Sequence, residues 1–574
     1  MDGMNSGQVS GLDPEKDCLP GSLETGSGEA KNEIDFDHAE QSATEIWLPK
    51  RNALMHGLER ILLLAEKPVT RLVGAPQLNP FYYTGPIAVF LFGVISVTGL
   101  FLVMFFQVGF DSSYLFISRV ETQPIARLVR AAHRYASDAF VIVSLIHAFR
   151  LFVMNRFRGP RWIAWVSGIL MILPVWLAGV TGYWMMWDER ALAITQSFDH
   201  ILQRGAYSVM NLLATNQKGN SWIFIMILLV AHLLLTIIIG VAIWAHVARL
   251  NRPKWLPSRY WMMGLTIVVL VVSAVLPLGM LPKADLAATT ASAPFSIDVL
   301  YLFYVPLAFN SVTNSPWLWI GLFLVLGMIA LFPWLSLRKE TTPSLVVDKA
   351  KCNGCTLCAV DCPYKAITME PRTDGRPHKF VAVEHSDLCV SCGICIGSCD
   401  SNAISLGAVS STTIWNAVNA RRHHAPNAEI VFTCERHAAN GARNVQNNDK
   451  VQVIPLPCVG MIYPDLIGKI RESGAPSVRV VGCPPEDCAN REGNGWVEGR
   501  LTRTRMPRLR KKFGDEPVAT RWLAPDEFIA ALKNREQDAS MVRKLTWRHF
   551  IPAFVFLIVV LLVQILVTTP LFTP

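Results

Sequence analysis

The chain has 574 residues, 51% hydrophobic and only 17% charged, which is too long for one domain and too apolar for a wholly soluble protein. Its net charge of +9 gathers near the ends of apolar runs and in residues 500–512, so it reads as positive-inside bias plus a surface face, not as nucleic-acid binding. Twelve of the thirteen cysteines lie between 352 and 488, which concentrates metal chemistry in one soluble portion and implies a reducing compartment.

Residues 1–46 hold eleven acids against two lysines, with Gly, Ser and Pro throughout and Cys18 alone among them. Such a composition cannot bury a core, so a disordered acidic tail is expected. No charged n-region precedes a short apolar core there, so no secretory signal is read. From Trp47 to Leu72 apolar residues recur at helical spacing with basic ones between them, which predicts a helix lying along the membrane surface.

Long apolar spans follow at 84–107, 130–153, 162–187, 221–247, 261–281 and 315–337, with one more at 549–571. Each is about long enough to cross a ~30 Å hydrocarbon core. The shorter run 297–310 reads as re-entrant or interfacial. Arg150, Arg156, Arg158 and Arg161 follow the second span, and Arg249, Arg252, Lys254 and Arg259 follow the fourth, so these loops should face the cytoplasm. The cysteine-rich portion then falls on the cytoplasmic side and the last span carries the C-terminus out.

His133 and His147 lie 14 residues apart in the second span, and His232 and His246 lie 14 apart in the fourth. Fourteen helical residues rise ~21 Å over nearly four turns, so each pair points in almost one direction at two depths. Two facing helices of this kind can hold two haems, with His133 and His232 on the outer iron and His147 and His246 on the inner one. A single histidine in an apolar helix is more often hydrogen-bonded to a neighbour. Four at matched spacing favour ligation, because intramembrane polar groups are expensive. Gly85 and Gly99 in the first span, and Gly168 and Gly182 in the third, repeat the interval and are expected to let a flat macrocycle approach the backbone.

Over 47–337 the sequence resembles the cytochrome b of quinol-cytochrome c oxidoreductases, on GPIAVFLFGVISVTG, RAAHRYASDAFVIVSLIHAFR, WVSGILMILPVWLAGVTGYWMMWDE and the pair His232 and His246. The resemblance implies four haem-bearing helices, two b haems and quinone chemistry at the membrane faces. It also implies that Arg130 and Arg150 pair with haem propionates, and homodimers are common among such proteins. Two departures stand out. Met186 replaces the proline of the family's Gly-Tyr-x-x-Pro-Trp turn, and the glutamate of its outer quinol site is absent. Tyr183 and Asp298 are the candidates left to line such a site.

CNGCTLCAVDCP and CVSCGICIGSCD each carry the spacing C-x2-C-x2-C-x3-C, which reads as two [4Fe-4S] clusters. Disulfides do not suit three cysteines within seven residues. The fourth cysteine of such a run ligates the other cluster, which gives Cys352, Cys355, Cys358 and Cys399 for one and Cys389, Cys392, Cys395 and Cys362 for the second.

Beyond them AEIVFTC, VQVIPLPC and SVRVVGC are three short strands ending in Cys434, Cys458 and Cys483, with the helix YPDLIGKIRES between the latter two. Strand-helix alternation predicts a parallel sheet whose carboxyl edge gathers these cysteines, and Cys488 adds a fourth. Four thiolates there suit a [2Fe-2S] cluster or a zinc ion. Residues 428–536 resemble the iron-sulfur delta subunit of methyl-viologen-reducing hydrogenase, on VFTC, PCVG, GCPPEDC and REGNGWVEGR. That resemblance implies a [2Fe-2S] cluster and a heterodisulfide-reductase-like, flavin or hydrogenase partner. The first motif here is CERH, without the nearby second cysteine. The stretch WVEGRLTRTRMPRLRKKFG predicts a basic helix able to dock an acidic partner.

The expected architecture is therefore multidomain. It comprises the tail 1–46, an α-helical transmembrane cytochrome b bundle at 47–337 and a ferredoxin-like α+β 2[4Fe-4S] domain at 344–410. An α/β parallel-sheet iron-sulfur domain at 428–536 and a C-terminal transmembrane helix at 549–571 complete it. The expected role is a multi-pass inner-membrane, respiratory electron-transfer subunit joining quinone to a cytoplasmic redox partner. A membrane anchor and relay without its own quinone site is the alternative. Neither a glycine-rich dinucleotide fingerprint nor a P-loop is present, so hydride chemistry would belong to the partner.

Overall fold

The computed structural model describes residues 53–73, 76–202, 221–276, 278–285, 316–334, 343–441, 449–533 and parts of 546–562. The acidic tail, Asp298 with its run 297–310, and most of the expected C-terminal span lie outside the described residues. Two compact units are present.

The first helix is α1 (Ala53–Val73). Its residues up to Thr70 belong to the iron-sulfur unit, while Leu54, Ile61 and Leu64 on its other face are exposed. The buried face carries Met55, Glu59, Leu62, Leu63 and Glu66. Two carboxylates on the buried stripe suit a protein neighbour with a matching cation and not hydrocarbon. Arg436 supplies that cation at 2.6 Å from Glu59, Asn440 adds a hydrogen bond at 2.7 Å, and Lys67 pairs with Asp526 at 3.6 Å.

The membrane unit holds four helices long and apolar enough to span a bilayer: Pro80–Phe105, Pro124–Val153, Gly159–Trp184 and Ser221–Ala248. Their α-helical parts are α2 (Thr84–Phe105), α4 (Pro124–Val153), the broken pair α5 (Trp162–Leu170) and α6 (Ile172–Trp184), and α8 (Ser221–Ala248). The break at Met171 lies where Pro174, lacking an N–H, cannot bond the Leu170 carbonyl. Among the described residues the fifth and sixth expected spans are shorter, α9 (Arg259–Val275) and α10 (Pro316–Leu331). Two helices not read from the sequence, α3 (Phe110–Thr122) and α7 (Glu189–Leu202), follow the first and third spans. Outward side chains such as Leu100, Met104, Ile237 and Trp244 are apolar and exposed, as a lipid-facing surface requires. Helix α2 packs along α4, and α6 along α8, which sets each glycine helix against a histidine helix.

In the iron-sulfur unit the strands β1 (Leu345–Val347) and β4 (Ile404–Leu406) pair antiparallel, as do β2 (Ile367–Pro371) and β3 (Phe380–Glu384). A four-stranded, fully parallel sheet follows, in the order β6 (Val451–Leu456), β5 (Glu429–Cys434), β7 (Val478–Gly482), β8 (Ala519–Trp522). The fourth strand was not expected. Its sequence, ATRW, is too short and polar to stand out, yet it extends the parallel sheet beside β7.

The two cysteine-bearing portions are not separate bodies: one continuous core runs through Leu345, Ile396, Ile404, Ile414, Ile430, Met461, Leu466 and Val480. The basic stretch explains part of this union. Its α-helical part is within Gly493–Leu501, a 3-10 turn follows at Lys511–Phe513, and four of its arginines pair with carboxylates of the same unit. Arg500, fully buried, donates to Asp361 at 2.7 Å, to Ser398 at 2.6 Å and to the Gly460 carbonyl at 2.9 Å. Arg505 also pairs with Asp361, Arg503 with Asp515 at 2.6 Å and Arg510 with Asp465 at 3.3 Å.

Candidate redox centres

Each of the four histidines reaches a hydroxyl on the glycine helix it faces, and that hydroxyl immediately precedes a glycine. His147 Nδ1 lies 3.0 Å from Thr84 Oγ1 and His133 Nδ1 lies 3.1 Å from Thr98 Oγ1. His246 Nδ1 lies 2.9 Å from Ser167 Oγ and His232 Nδ1 lies 3.1 Å from Thr181 Oγ1. His133 and His232 have a second partner, the Ile95 and Ala178 carbonyl oxygens, each at 3.0 Å. A carbonyl only accepts, so in these two rings Nδ1 carries the hydrogen and Nε2 is left as the ligand atom. His133 lies within electrostatic range of His232, and His147 of His246.

The four glycines lie against the four imidazoles. A Cβ on Gly99 would stand 3.0 Å from His133 Cε1, on Gly85 3.2 Å from His147 Cε1, on Gly182 3.3 Å from His232 Cε1 and on Gly168 3.5 Å from His246 Cε1. They seat the imidazoles closely: at Gly99, Gly85 and Gly182 even a methyl would crowd the ring against its hydroxyl, whereas at Gly168 it would make ordinary contact. The tightest and loosest seats make a test. Gly99→Ala should lower or spectrally shift one b-haem component, whereas Gly168→Ala, whose new methyl stays at ordinary contact distance, should leave the haem-to-protein ratio unchanged. The hydroxyls were missed in the sequence, although Thr84-Gly85, Thr98-Gly99, Ser167-Gly168 and Thr181-Gly182 repeat the 14-residue interval.

Arg130 is buried, ion-paired with Glu121 and 3.6 Å from Met186 Sδ, so it already has a carboxylate partner. Arg150 is also buried, 5.4 Å from the Tyr82 ring centroid. Tyr183 lies beneath the guanidinium groups of Arg134, at 4.4 Å, and Arg190, at 5.6 Å.

In the iron-sulfur unit, Cys352, Cys355, Cys358 and Cys399 line one cavity together with Asn353 and Ser401. Cys362 interacts electrostatically with Cys389, and Cys395 with Cys392, Cys358, Cys362 and Cys389. The cavity of the first run thus takes its fourth cysteine, Cys399, from the second. Burial pushes the Cys358 thiol well above its ordinary range, and Cys355, Cys399 and Cys352 add to the shift. Four thiolates cannot coexist there without a compensating cation, which is the donor set of a metal cluster. Asn251 Nδ2 donates to the Cys362 carbonyl at 3.0 Å, and Arg252 pairs with Glu492 at 2.7 Å.

Cys434 closes β5, Cys483 follows β7, Cys458 follows β6, and Cys488 ends the PPED turn; all four are buried. The chain leaves β5 for β6 on one side and returns to β7 on the other, so Cys434 and Cys483 flank the point where the strand order reverses. Cys434 is within hydrogen-bonding reach of Cys458 and Cys483, and Cys458 of Cys488. Gly493 lies against the Cys458 sulfur where a Cβ would collide with it. One further donor joins them: His437, whose ring nitrogen lies with the Cys434 and Cys483 sulfurs in a group spanning no more than 4.8 Å. Its signal in the sequence was the three-residue step of C-E-R-H, which brings both side chains to one end of the strand.

Paired histidines across apolar helices, beside thiol groups built for metal clusters, define a membrane-bound haem and iron-sulfur protein. Three family models match successive stretches: "Cytochrome b(N-terminal)/b6/petB" over 138–259, "4Fe-4S dicluster domain" over 351–403, and "Methyl-viologen-reducing hydrogenase, delta subunit" over 430–545. The first match contains His147, His232, His246, Gly168 and Gly182. Similar curated proteins include the cytochrome bc complex cytochrome b subunit of Chlorobaculum thiosulfatiphilum, 27% identical over 224 residues, which is 36% of this chain and 50% of that protein. They also include cytochrome b6 of Prochlorococcus marinus strains AS9601 and MIT 9301, 30% identical over 115 residues, 20% of this chain and 53% of theirs. The chain spans about half the length of these relatives. It joins a cytochrome b segment, with its b-type haem, to a [4Fe-4S] segment and a hydrogenase delta-like segment in one membrane electron-transfer protein.

Proposed function

We propose that this chain is the subunit through which a cytoplasmic oxidoreductase exchanges electrons with the membrane quinone pool. The observation that carries the reading is the repeated seating of four imidazoles by Nδ1 at two depths, in the same chain as three groups of converging thiols. His133 with His232 would hold the outer haem and His147 with His246 the inner one. Cys352, Cys355, Cys358 and Cys399 would hold one [4Fe-4S] cluster, and Cys389, Cys392, Cys395 and Cys362 the other. Cys434, Cys458, Cys483 and Cys488 are the thiols for a [2Fe-2S] cluster, with zinc as the alternative. When bound, these groups supply one-electron carriers. The chain's own residues fix imidazole orientation, bring the thiols together and bury them.

The arginine-rich loops after the second and fourth spans support iron-sulfur domains on the cytoplasmic side. The delta-subunit match supports a hydrogenase, flavin or heterodisulfide-reductase-like partner. A homodimer follows only from the cytochrome b resemblance.

One observation favours the second reading, an anchor and relay without a quinone site. The Tyr183 ring already carries two guanidinium groups, so it offers a quinone headgroup little open surface. Anaerobic mixing of the purified chain with a quinol analogue separates the two. The first reading expects reduction of haem b by quinol, and of quinone by the reduced clusters; failure of both leaves the relay.

A further inference from the structure

We propose that His437 is a metal ligand of the third centre, which makes that centre a three-thiolate, one-imidazole site of Cys434, Cys458, Cys483 and His437, with Cys488 outside the ligand set. The inference builds on the third centre proposed above and changes its donor set.

His437 stands in the first turn of α14 (Glu435–Gly441), three residues beyond the cysteine that ends β5, and is fully buried. Its Nε2 lies 2.8 Å from the Leu523 carbonyl oxygen. That oxygen can only accept, so Nε2 carries the hydrogen, and in the neutral ring Nδ1 holds a lone pair. Nδ1 is buried with no close hydrogen bond, and the group within reach of its lone pair is the Cys483 sulfur; leaving such an atom unsatisfied costs about 1–3 kcal/mol. The ring is fixed from its side by Phe528, at 6.1 Å between centroids and 67° between planes.

The Cys434 and Cys483 sulfurs and the ring nitrogen lie within 4.8 Å of one another. Ligands about 2.0–2.3 Å from one metal stand roughly that close to each other. An imidazole that gives its second N–H to a backbone carbonyl is the usual form of a metal-bound histidine. Cys458 reaches this trio through Cys434, whereas Cys488 is within hydrogen-bonding reach of Cys458 alone. Five donors compete for four positions, and Cys488 is the outlying one. The nearby cation does not compete for the lone pair: Arg436 is turned to Glu59 at 2.6 Å and Asp487 at 2.9 Å.

The donor set suits either an iron pair or zinc, and the test separates them. The full-length chain is analysed for iron, acid-labile sulfide and zinc. If the third centre is iron, pulsed electron paramagnetic resonance of the reduced protein, in which low-spin haem is diamagnetic, should show nitrogen coupling on the [2Fe-2S] signal. That coupling should change with 15N-histidine labelling and vanish in His437→Ala. His437→Cys should keep the metal and lower its midpoint potential, because an anionic thiolate replaces a neutral ligand. If the metal is zinc, X-ray absorption should count one nitrogen among three sulfurs. Cys488→Ser should keep both metal and nitrogen signal. Absence of coupling, its persistence in His437→Ala, or an all-sulfur shell overturns the proposal. Loss of the metal in Cys488→Ser overturns the exclusion of that thiol. A chain with haem and [4Fe-4S] clusters but no third metal would sink this proposal and the [2Fe-2S] reading together, an outcome distinct from a third centre with only sulfur ligands.

Discussion

Replacing His147 with alanine is expected to remove one of two b-type haem components, about half of the dithionite-reduced haem absorbance, and to leave the other with its spectrum intact. The expectation follows from the independence of the two seats. His133 and His232 are held by Thr98 with the Ile95 carbonyl and by Thr181 with the Ala178 carbonyl, while His147 and His246 rest on Thr84 and Ser167. The two levels lie ~21 Å apart along each helix, beyond the reach of any single hydrogen bond. Loss of both spectral components in His147→Ala would contradict the pairing. The hydroxyls grade the effect further. Thr84→Val removes the one hydrogen-bond partner described for His147 Nδ1, whereas Thr98→Val leaves His133 its carbonyl. Losing a hydrogen bond that orients a metal-binding imidazole costs roughly 10–100-fold in metal affinity. Haem titration of the two variants should therefore show the larger loss for Thr84→Val.

Asp361→Ala should destabilise the iron-sulfur unit by about 3–5 kcal/mol, the usual cost of stranding a buried charge. Asp361 is fully buried and takes hydrogen bonds from Arg500 at 2.7 Å, from Ser398 at 2.7 Å and from Arg505. Without it the fully buried Arg500 guanidinium keeps Ser398 and the Gly460 carbonyl as its described partners. The neighbours make the consequence visible, because Asp361 precedes Cys362 and Ser398 precedes Cys399, the two cysteines proposed to cross between the clusters. The denaturant midpoint for loss of [4Fe-4S] absorbance should fall accordingly. The double variant Asp361→Leu with Arg500→Leu should be less harmful than the sum of the two single changes, since it removes the stranded charge. A strictly additive result would mean that the pair does not act as a unit.

Much of this protein is legible along the chain because its chemistry is periodic. The double cysteine run, the 14-residue steps of the histidines and glycines, and the apolar spans are local patterns set by metal geometry, helix pitch and bilayer thickness. The parallel sheet could be read the same way, since strand-helix alternation leaves few topologies. Other features depend on residues far apart in sequence. Helix α1 had the periodicity of a surface helix, but whether Glu59 faced lipid or a guanidinium depended on Arg436, 377 residues away. The basic run 496–514 looked like a docking helix because its counter-charges, Asp361 and Asp465, lie elsewhere.

The sequence by itself determined the cofactor classes, the haem-bearing helices and the cysteines that would converge, because each follows from spacing within one element. Only the tertiary structure decided that the glycines seat imidazoles, that four Ser and Thr hydroxyls hold them, that the two cysteine domains share one core, and that His437 joins the third centre. These depend on which faces of separate elements meet, and in the last case on a single carbonyl, that of Leu523, which sets where the histidine's lone pair lies.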